Sequence, residues 1–323
     1  LDTLGQMSRT DIYSSLKEWE QLTPLPFYSI GEPELTKVVN KGGEEFFVLK
    51  VLVSNNSDYD GIIQMNVLQN GWWYQPLEDP RARKKVEIAA HTTKEFVSVW
   101  EEQIREVEVN TMISGNLPYM IRQSIGNVKQ ERNKIVKDSI YTLPESSLEM
   151  PGEIIVDNED STLFVLSTPP VVGLLPKWLD EVEETPFKYS GISWWRAPLQ
   201  WTATTNAKYY GKYIRSAYVI KSGDGSQTAT WKIPVPEAGQ YELYYYVFKN
   251  DELRWNDRLQ GEYHFRVAYD SEVEDAYINL RKANEGWEQL GTYYFSADTV
   301  RVVLTDECKL RSVTADAVKI VKR

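Results

Sequence analysis

Period-two alternation of apolar residues, a high density of Tyr and Trp, and turn formers recurring between short apolar runs predict an all-β chain: two β-sandwich domains behind one short N-terminal helix. Successive side chains of a strand point to opposite faces, so alternation marks a surface buried on one side only. The 20 Tyr and 11 Trp among 323 residues suit pleated surfaces. They suit equally a surface that holds sugars or proteins. The length is generous for one domain and comfortable for two.

In the N-terminal segment, residues 1–26, "TDIYSSLKEWEQ" sets Ile12, Leu16 and Trp19 at helical spacing behind a Thr10 or Asp11 cap, and "LTPLP" ends the pattern. Residues 27–148 then alternate. In "EFFVLKVLVSNN" Phe47, Leu49, Val51 and Val53 share a face, and in "GIIQMNVL" so do Ile63, Met65 and Val67. Val86, Ile88 and Ala90 form another inward row, as do Val107 and Val109. Several short strands between turns in such a length predict an immunoglobulin-like sandwich. Turn formers and two prolines in "DSIYTLPESSLEMPG" place the boundary there, so the second domain covers 149–323 and opens on "EIIVDNED". Its stretches "GSQTATWKIPV", "GQYELYYYVF", "YHFRVAY", "GWEQLGTYYF", "VRVVLTD" and "ADAVKIV" read as strands.

Composition excludes several partners. The formal charge of -11 repels nucleic acid, anionic membranes and polyanionic chains unless basic residues cluster on one face, and the sequence shows no such cluster. No apolar run is long enough for a membrane span. The single cysteine, Cys308, rules out an intrachain disulfide and a cysteine zinc site. "LDTLGQ" opens the chain without Met or a basic, then apolar, leader, which carries the expectation that an export signal or upstream domain has been removed.

The stretches "EIIVDNED", "YYGKYI", "GSQTATWKIPVPEAGQYELYYYV", "GWEQLGTYYF" and "ADAVKIV", in that order, resemble the carbohydrate-binding-like domain of golvesin-type proteins and xanthan lyases over residues 153–323. The resemblance implies a jelly-roll-like β-sandwich appended to an exported bacterial enzyme. It carries over no binding residue. Two departures stand out: residues 161–193 read as an insertion holding Trp178, and "DECKLRS" replaces a glycine-containing turn.

The candidate ligand-binding residues are aromatic. In "SWWRAPLQW" the neighbours Trp194 and Trp195 point to opposite faces, so one of them lies outside the core; it serves either domain packing or a platform for the apolar face of a sugar ring. In "YELYYYVF" the row Tyr241, Leu243, Tyr245, Val247 faces one way, and the row Glu242, Tyr244, Tyr246, Phe248 the other. The second row is the expected open face. Trp255, Asp257 and Arg258 offer an indole, a carboxylate and a planar donor fork, which fits polyol recognition as well as it fits a hairpin tip with an ion pair.

"VDNEDS" and "KSGDGSQ" hold oxygen ligands of the calcium type, but neither has a metal-loop spacing, and both read as ordinary turns. No metal or cofactor is expected. His91 and His264 read as strand residues, and no nucleophile, zinc or phosphate motif is present. The expectation is a non-catalytic, carbohydrate-binding accessory region of a larger exported bacterial protein, secreted, periplasmic or at the cell surface, with a glycan ligand. The alternatives are a structural or protein-interaction module that docks onto a catalytic domain, and a polysaccharide lyase or hydrolase.

Overall fold

The computed structural model describes residues 24–68, 79–126, 128–132, 136–144, 148, 152–167, 188–189, 191–192, 196–249 and 261–323. Among them the chain is all-β, with a single turn of 3-10 helix at Pro80–Ala82. Proline at its start and an Asp79 carboxylate accepting from the Arg81 backbone N–H (2.8 Å) fix that turn. The helix expected over residues 10–21 lies outside the described residues.

The strands form five small sheets, not two plain sandwiches. A six-stranded sheet runs Ser139–Pro144, Thr92–Trp100, Glu45–Asn55, Glu34–Val39, Val128–Arg132, with Tyr28–Ile30 also paired to Glu45–Asn55. A four-stranded sheet runs Arg83–Ile88, Gly61–Leu68, Glu106–Asn110, Met120–Ser124. Further along the chain, a second four-stranded sheet runs Glu153–Val156, Val318–Lys322, Gly239–Val247, Gly286–Phe295. A five-stranded sheet runs Phe164–Leu166, Thr228–Pro234, Thr299–Thr305, Glu262–Tyr269, Glu272–Asn279. A three-stranded sheet joins Thr202–Thr205, Ser216–Lys221 and Ser312–Ala315. The expected jelly roll fails at this last sheet, because Ser216–Lys221 pairs only with its two companions and joins neither larger sheet.

Alternation finds the core where the sequence put it. Leu49, Val51 and Val53 meet Ile63, Met65, Val67, Val107 and Val109 in one buried cluster, fed by both sheets of the first half. In the second half Trp231, Tyr241, Leu243, Tyr245, Val247, Phe265 and Ile320 belong to one larger cluster. Buried aromatics need partners for their polar atoms. Trp231 donates Nε1–H to the Asp316 carbonyl (3.3 Å), and the Tyr245 hydroxyl donates to the Thr314 carbonyl. Two stretches contradict the reading of the sequence. Ser139–Pro144, within the supposed boundary, pairs in register with Thr92–Val97. Phe164–Leu166, within the supposed insertion, pairs with Ala229–Trp231 and buries Phe164.

A clasp joins the halves. Leu117 donates its N–H to the Tyr213 carbonyl (3.0 Å) and accepts from the Arg215 N–H (2.7 Å), while the Arg122 N–H reaches the Ala207 carbonyl (2.8 Å). Asn116 Nδ2 donates to the carbonyls of Tyr28 (2.8 Å) and Tyr213 (3.3 Å), and Phe27 packs on the Tyr213 ring at 5.3 Å. Lys208 Nζ lies 3.0 Å from Glu106 of the first half and 2.9 Å from Glu285 of the second. Burial alone would lower this ammonium, yet the two carboxylates raise it above its usual range.

Candidate functional site

The site grows from strand Gly239–Val247. Its inner row, Tyr241, Leu243, Tyr245 and Val247, is spent on the core, which leaves Glu242, Tyr244 and Tyr246 on the outer face of the four-stranded sheet. The partner strand sets Gln289 beside Tyr244 and Trp287 beside Tyr246 across a register shift at Leu243/Tyr244. Such irregularities re-aim side chains. On the other side Lys319 pairs with Tyr244. Its Nζ sits 4.8 Å from the Trp287 ring centre and 5.4 Å from that of Tyr244, and 3.1 Å from Glu153 Oε1.

A third ring comes from the clasp. Tyr210 lies 5.4 Å from Tyr246 and 5.0 Å from Trp287, which are themselves 5.1 Å apart and nearly perpendicular. Its backbone N–H donates to Asp316 Oδ2 (3.1 Å). The next residue, Gly211, has φ +147, and a Cβ there would meet the Ile214 carbonyl oxygen at 1.9 Å, so the turn that presents Tyr210 requires glycine. Burial raises the hydroxyl pKa of both Tyr210 and Tyr246, which keeps them neutral donors.

These rings wall a cleft of about 700 Å³ between the halves, closed from the first half by Gly31, Glu32 and Gln123 and from the second by Arg215 and Lys319. A smaller hollow of about 260 Å³ continues from it, sharing Glu32, Gln123, Tyr246 and Trp287. Burial raises the Glu32 carboxyl, against the pull of Lys319. At the open end, the Glu242 carboxylate accepts from the Tyr244 hydroxyl (2.6 Å) and from Arg323 Nη2 (2.6 Å), and these bonds hold it below its ordinary range. Burial and that carboxylate push the Tyr244 hydroxyl up to about 12.

Behind the cleft two acids are buried. Asp316 is 0% exposed with Oδ1 unpartnered, and burial, with Asp157 nearby, pushes it well up. Burial pushes Asp157 up to about 8, against the bond from the Asn158 N–H. The turn in "KSGDGSQ" closes on protein, with the N–H groups of Gly225 (2.8 Å) and Gln227 (3.2 Å) donating to Asp306 Oδ1. In "VDNEDS", Glu159 accepts from Tyr189 (3.0 Å), Ser216 and Lys188 (2.5 Å). Among the described residues no group of three metal-ligating side chains is present.

Three expected site residues are therefore brought onto one row, Glu242, Tyr244 and Tyr246. The row is not uniformly open: Tyr246 is covered by Tyr210 and Trp287, and Phe248 packs edge-on against Tyr209 at 4.7 Å. Trp194, Trp195, Trp255, Asp257 and Arg258 lie outside the described residues, as does Trp178. Sequence reasoning missed Tyr210, Arg215, Trp287 and Lys319. Tyr210, Trp287 and Lys319 stand in stretches singled out for their strand or family character and Arg215 follows directly on one, but only the folded chain shows that they converge.

No curated protein matches the chain. Among solved structures it is similar to a Podospora anserina GH26-CBM35 β-(1,4)-mannanase at 12% identity and TM-score 0.28, over 54% of this chain and 28% of that one. It is similar to the CBM35 of Cellvibrio japonicus Abf62 at 11% identity and TM-score 0.27, over 39% of this chain and 83% of that one. An exo-β-1,3-galactanase from Phanerochaete chrysosporium aligns at 6% identity and TM-score 0.31, over 90% and 68% of the two chains. The chain thus spans under a third of the mannanase. Residues 195–322 match the Golvesin C-terminal domain, the family that the strand sequences of this half resemble.

Proposed function

We propose that the chain is a carbohydrate-binding region whose ligand lies in the cleft between the halves, stacked on Trp287 and Tyr210, which Tyr246 backs, and continuing outward over Tyr244. The observation that carries this is the convergence of three rings on one wall, each within 5.4 Å of the next, beside the ammonium of Lys319. Aromatic faces meet the apolar faces of sugar rings, and a few placed polar groups fix the hydroxyls. Glu153, Glu242 and Lys319 supply these. The golvesin resemblance points the same way. On this reading the role is binding without catalysis, and Lys50 and Lys319 in the cleft and Lys129 and Lys208 in the smaller hollow are held in ion pairs that shape its walls. On this reading the chain serves an exported bacterial protein as its glycan-holding part.

A second reading is a scaffold that docks onto a catalytic domain, in which the rings of Tyr210, Tyr246 and Trp287 serve packing alone. Affinity electrophoresis against a panel of polysaccharides separates the two. A glycan reader is retarded by at least one polysaccharide, and Trp287→Ala weakens that binding about tenfold or more, with the fold retained by circular dichroism. Tyr244→Ala, at the open end, gives a smaller loss. Unchanged migration on every polysaccharide sinks the glycan reading.

A further inference from the structure

The strongest unexplained group in the molecule is Arg215. Its side chain lines the cleft although only 4% of the residue is exposed. Nη1 donates to the Tyr209 carbonyl (2.9 Å), Nη2 donates to the side-chain oxygen of Gln123 (3.3 Å), and Nε has no partner. All of these acceptors are neutral. Among the described residues no carboxylate forms an ion pair with this guanidinium.

The other cations of the cleft are compensated: Lys50 by Glu95 (2.7 Å), Arg122 by Glu108 (2.7 Å), Lys129 by Glu34 (3.2 Å), Lys208 by Glu285 (2.9 Å) and Lys319 by Glu153 (3.1 Å). The acids that act on Arg215 through space are Asp157 and Asp316. Burial drives both toward their neutral form, so they offset little of its charge near neutral pH. A buried, unpaired charge is costly, and a ligand that supplies the missing carboxylate removes that cost. Lys212, exposed on the rim of the same cleft three residues away, adds a second cation that has no carboxylate partner among the described residues.

We infer that Arg215 receives a carboxylate of the bound sugar, so that the cleft takes acidic, uronate-type glycans in preference to neutral ones; this rests on the glycan-binding reading above. A guanidinium matches a carboxylate with two parallel donors, while the Tyr210 ring on the same loop offers a face for the sugar ring that carries it. The rings favour a sugar over an acidic peptide, whose side chain brings the carboxylate but no ring to stack. The overall charge of -11 opposes polyanions at long range. The uncompensated guanidinium reverses that preference locally.

The test titrates the full chain with polygalacturonate, with the same polymer fully methyl-esterified, and with polyglutamate, at a salt concentration that screens long-range charge. Expected is binding about tenfold tighter to the free acid than to the ester or to polyglutamate, reduced to the ester level in Arg215→Gln. Lys212→Ala, at an exposed position, is expected to give a two- to fourfold loss, and free galacturonate is expected to compete where galactose does not. These last two arms decide if Arg215→Gln fails to fold. Equal binding of acid and ester with galactose competing as well, or polyglutamate binding as tightly as polygalacturonate, overturns the inference. A neutral polysaccharide bound in a Trp287-dependent way, with no response to uronate, overturns it while leaving glycan binding in place. Binding to no glycan overturns both.

Discussion

Asp157 shows how far one buried side chain can set a solution property. Its pKa near 8 means that the folded chain holds a proton there that the unfolded chain, near the ordinary 3.9, has released. The sign follows directly. A group with a raised folded pKa contributes stability that is fully present below about pH 4 and is lost as pH rises through about 8. Calorimetry between pH 5 and pH 9 is therefore expected to show a melting temperature falling with pH, at no more than about 1.4 kcal/mol per pH unit for this proton. Asp157→Asn, neutral at every pH, should flatten the profile. Parallel profiles for the two proteins would show that Asp157 is not its source. The sequence read this residue only as part of an Asp-rich turn, because nothing local in "VDNEDS" says that Asp316, more than 150 residues further on, lies beside it.

Elements carry the rest of the site, and they were legible unequally. Strand Gly239–Val247 was readable down to its two rows, since alternation is a local signal and the inner row is fully buried, at 1% exposure or less. What covers the outer row was not readable. Trp287 reaches Tyr246 through cross-strand register, and Tyr210 arrives on a loop whose shape depends on one glycine. Gly211→Ala tests that dependence. A side chain driven into the Ile214 carbonyl is expected to cost about 2 kcal/mol of stability and to weaken glycan binding, with Tyr210 displaced. A variant as stable as the parent, binding as tightly, would show that the loop does not rely on that backbone shape. The same distance in sequence explains why Ser139–Pro144 reads as part of the domain boundary: Pro144, Pro151 and the serines between them hide a strand that its partner Thr92–Trp100 defines.

At the scale of the molecule, the clasp makes the two halves one unit. Lys208 is the point to press, since its two carboxylate partners belong to different halves and all three side chains are 15% exposed or less. Removing the ammonium leaves two carboxylates uncompensated, so Lys208→Met is expected to cost about 3 kcal/mol. It should also split a single calorimetric transition into two. A single transition at an unchanged temperature would mean that the backbone bonds of Leu117 and Arg122 hold the halves without it. The all-β class was plain from alternation and composition. Five sheets in place of two sandwiches were not, because strand length and order in a sheet are set by partners far away in the chain.

One of those distant pairings governs how the protein comes into being. Among the described residues Glu153–Val156 has a single neighbour in its sheet, Val318–Lys322, and the Lys319–Glu153 ion pair spans 166 residues of chain. During synthesis the earlier strand waits, with its hydrogen-bonding edge bare, until nearly everything between has been made. Loop closure over such a span is slow, and a bare edge invites pairing with other chains. Refolding by dilution is therefore expected to lose more protein to aggregates as concentration rises, and a peptide copying residues 318–322, added in excess, should compete for the waiting edge and slow recovery of the native state.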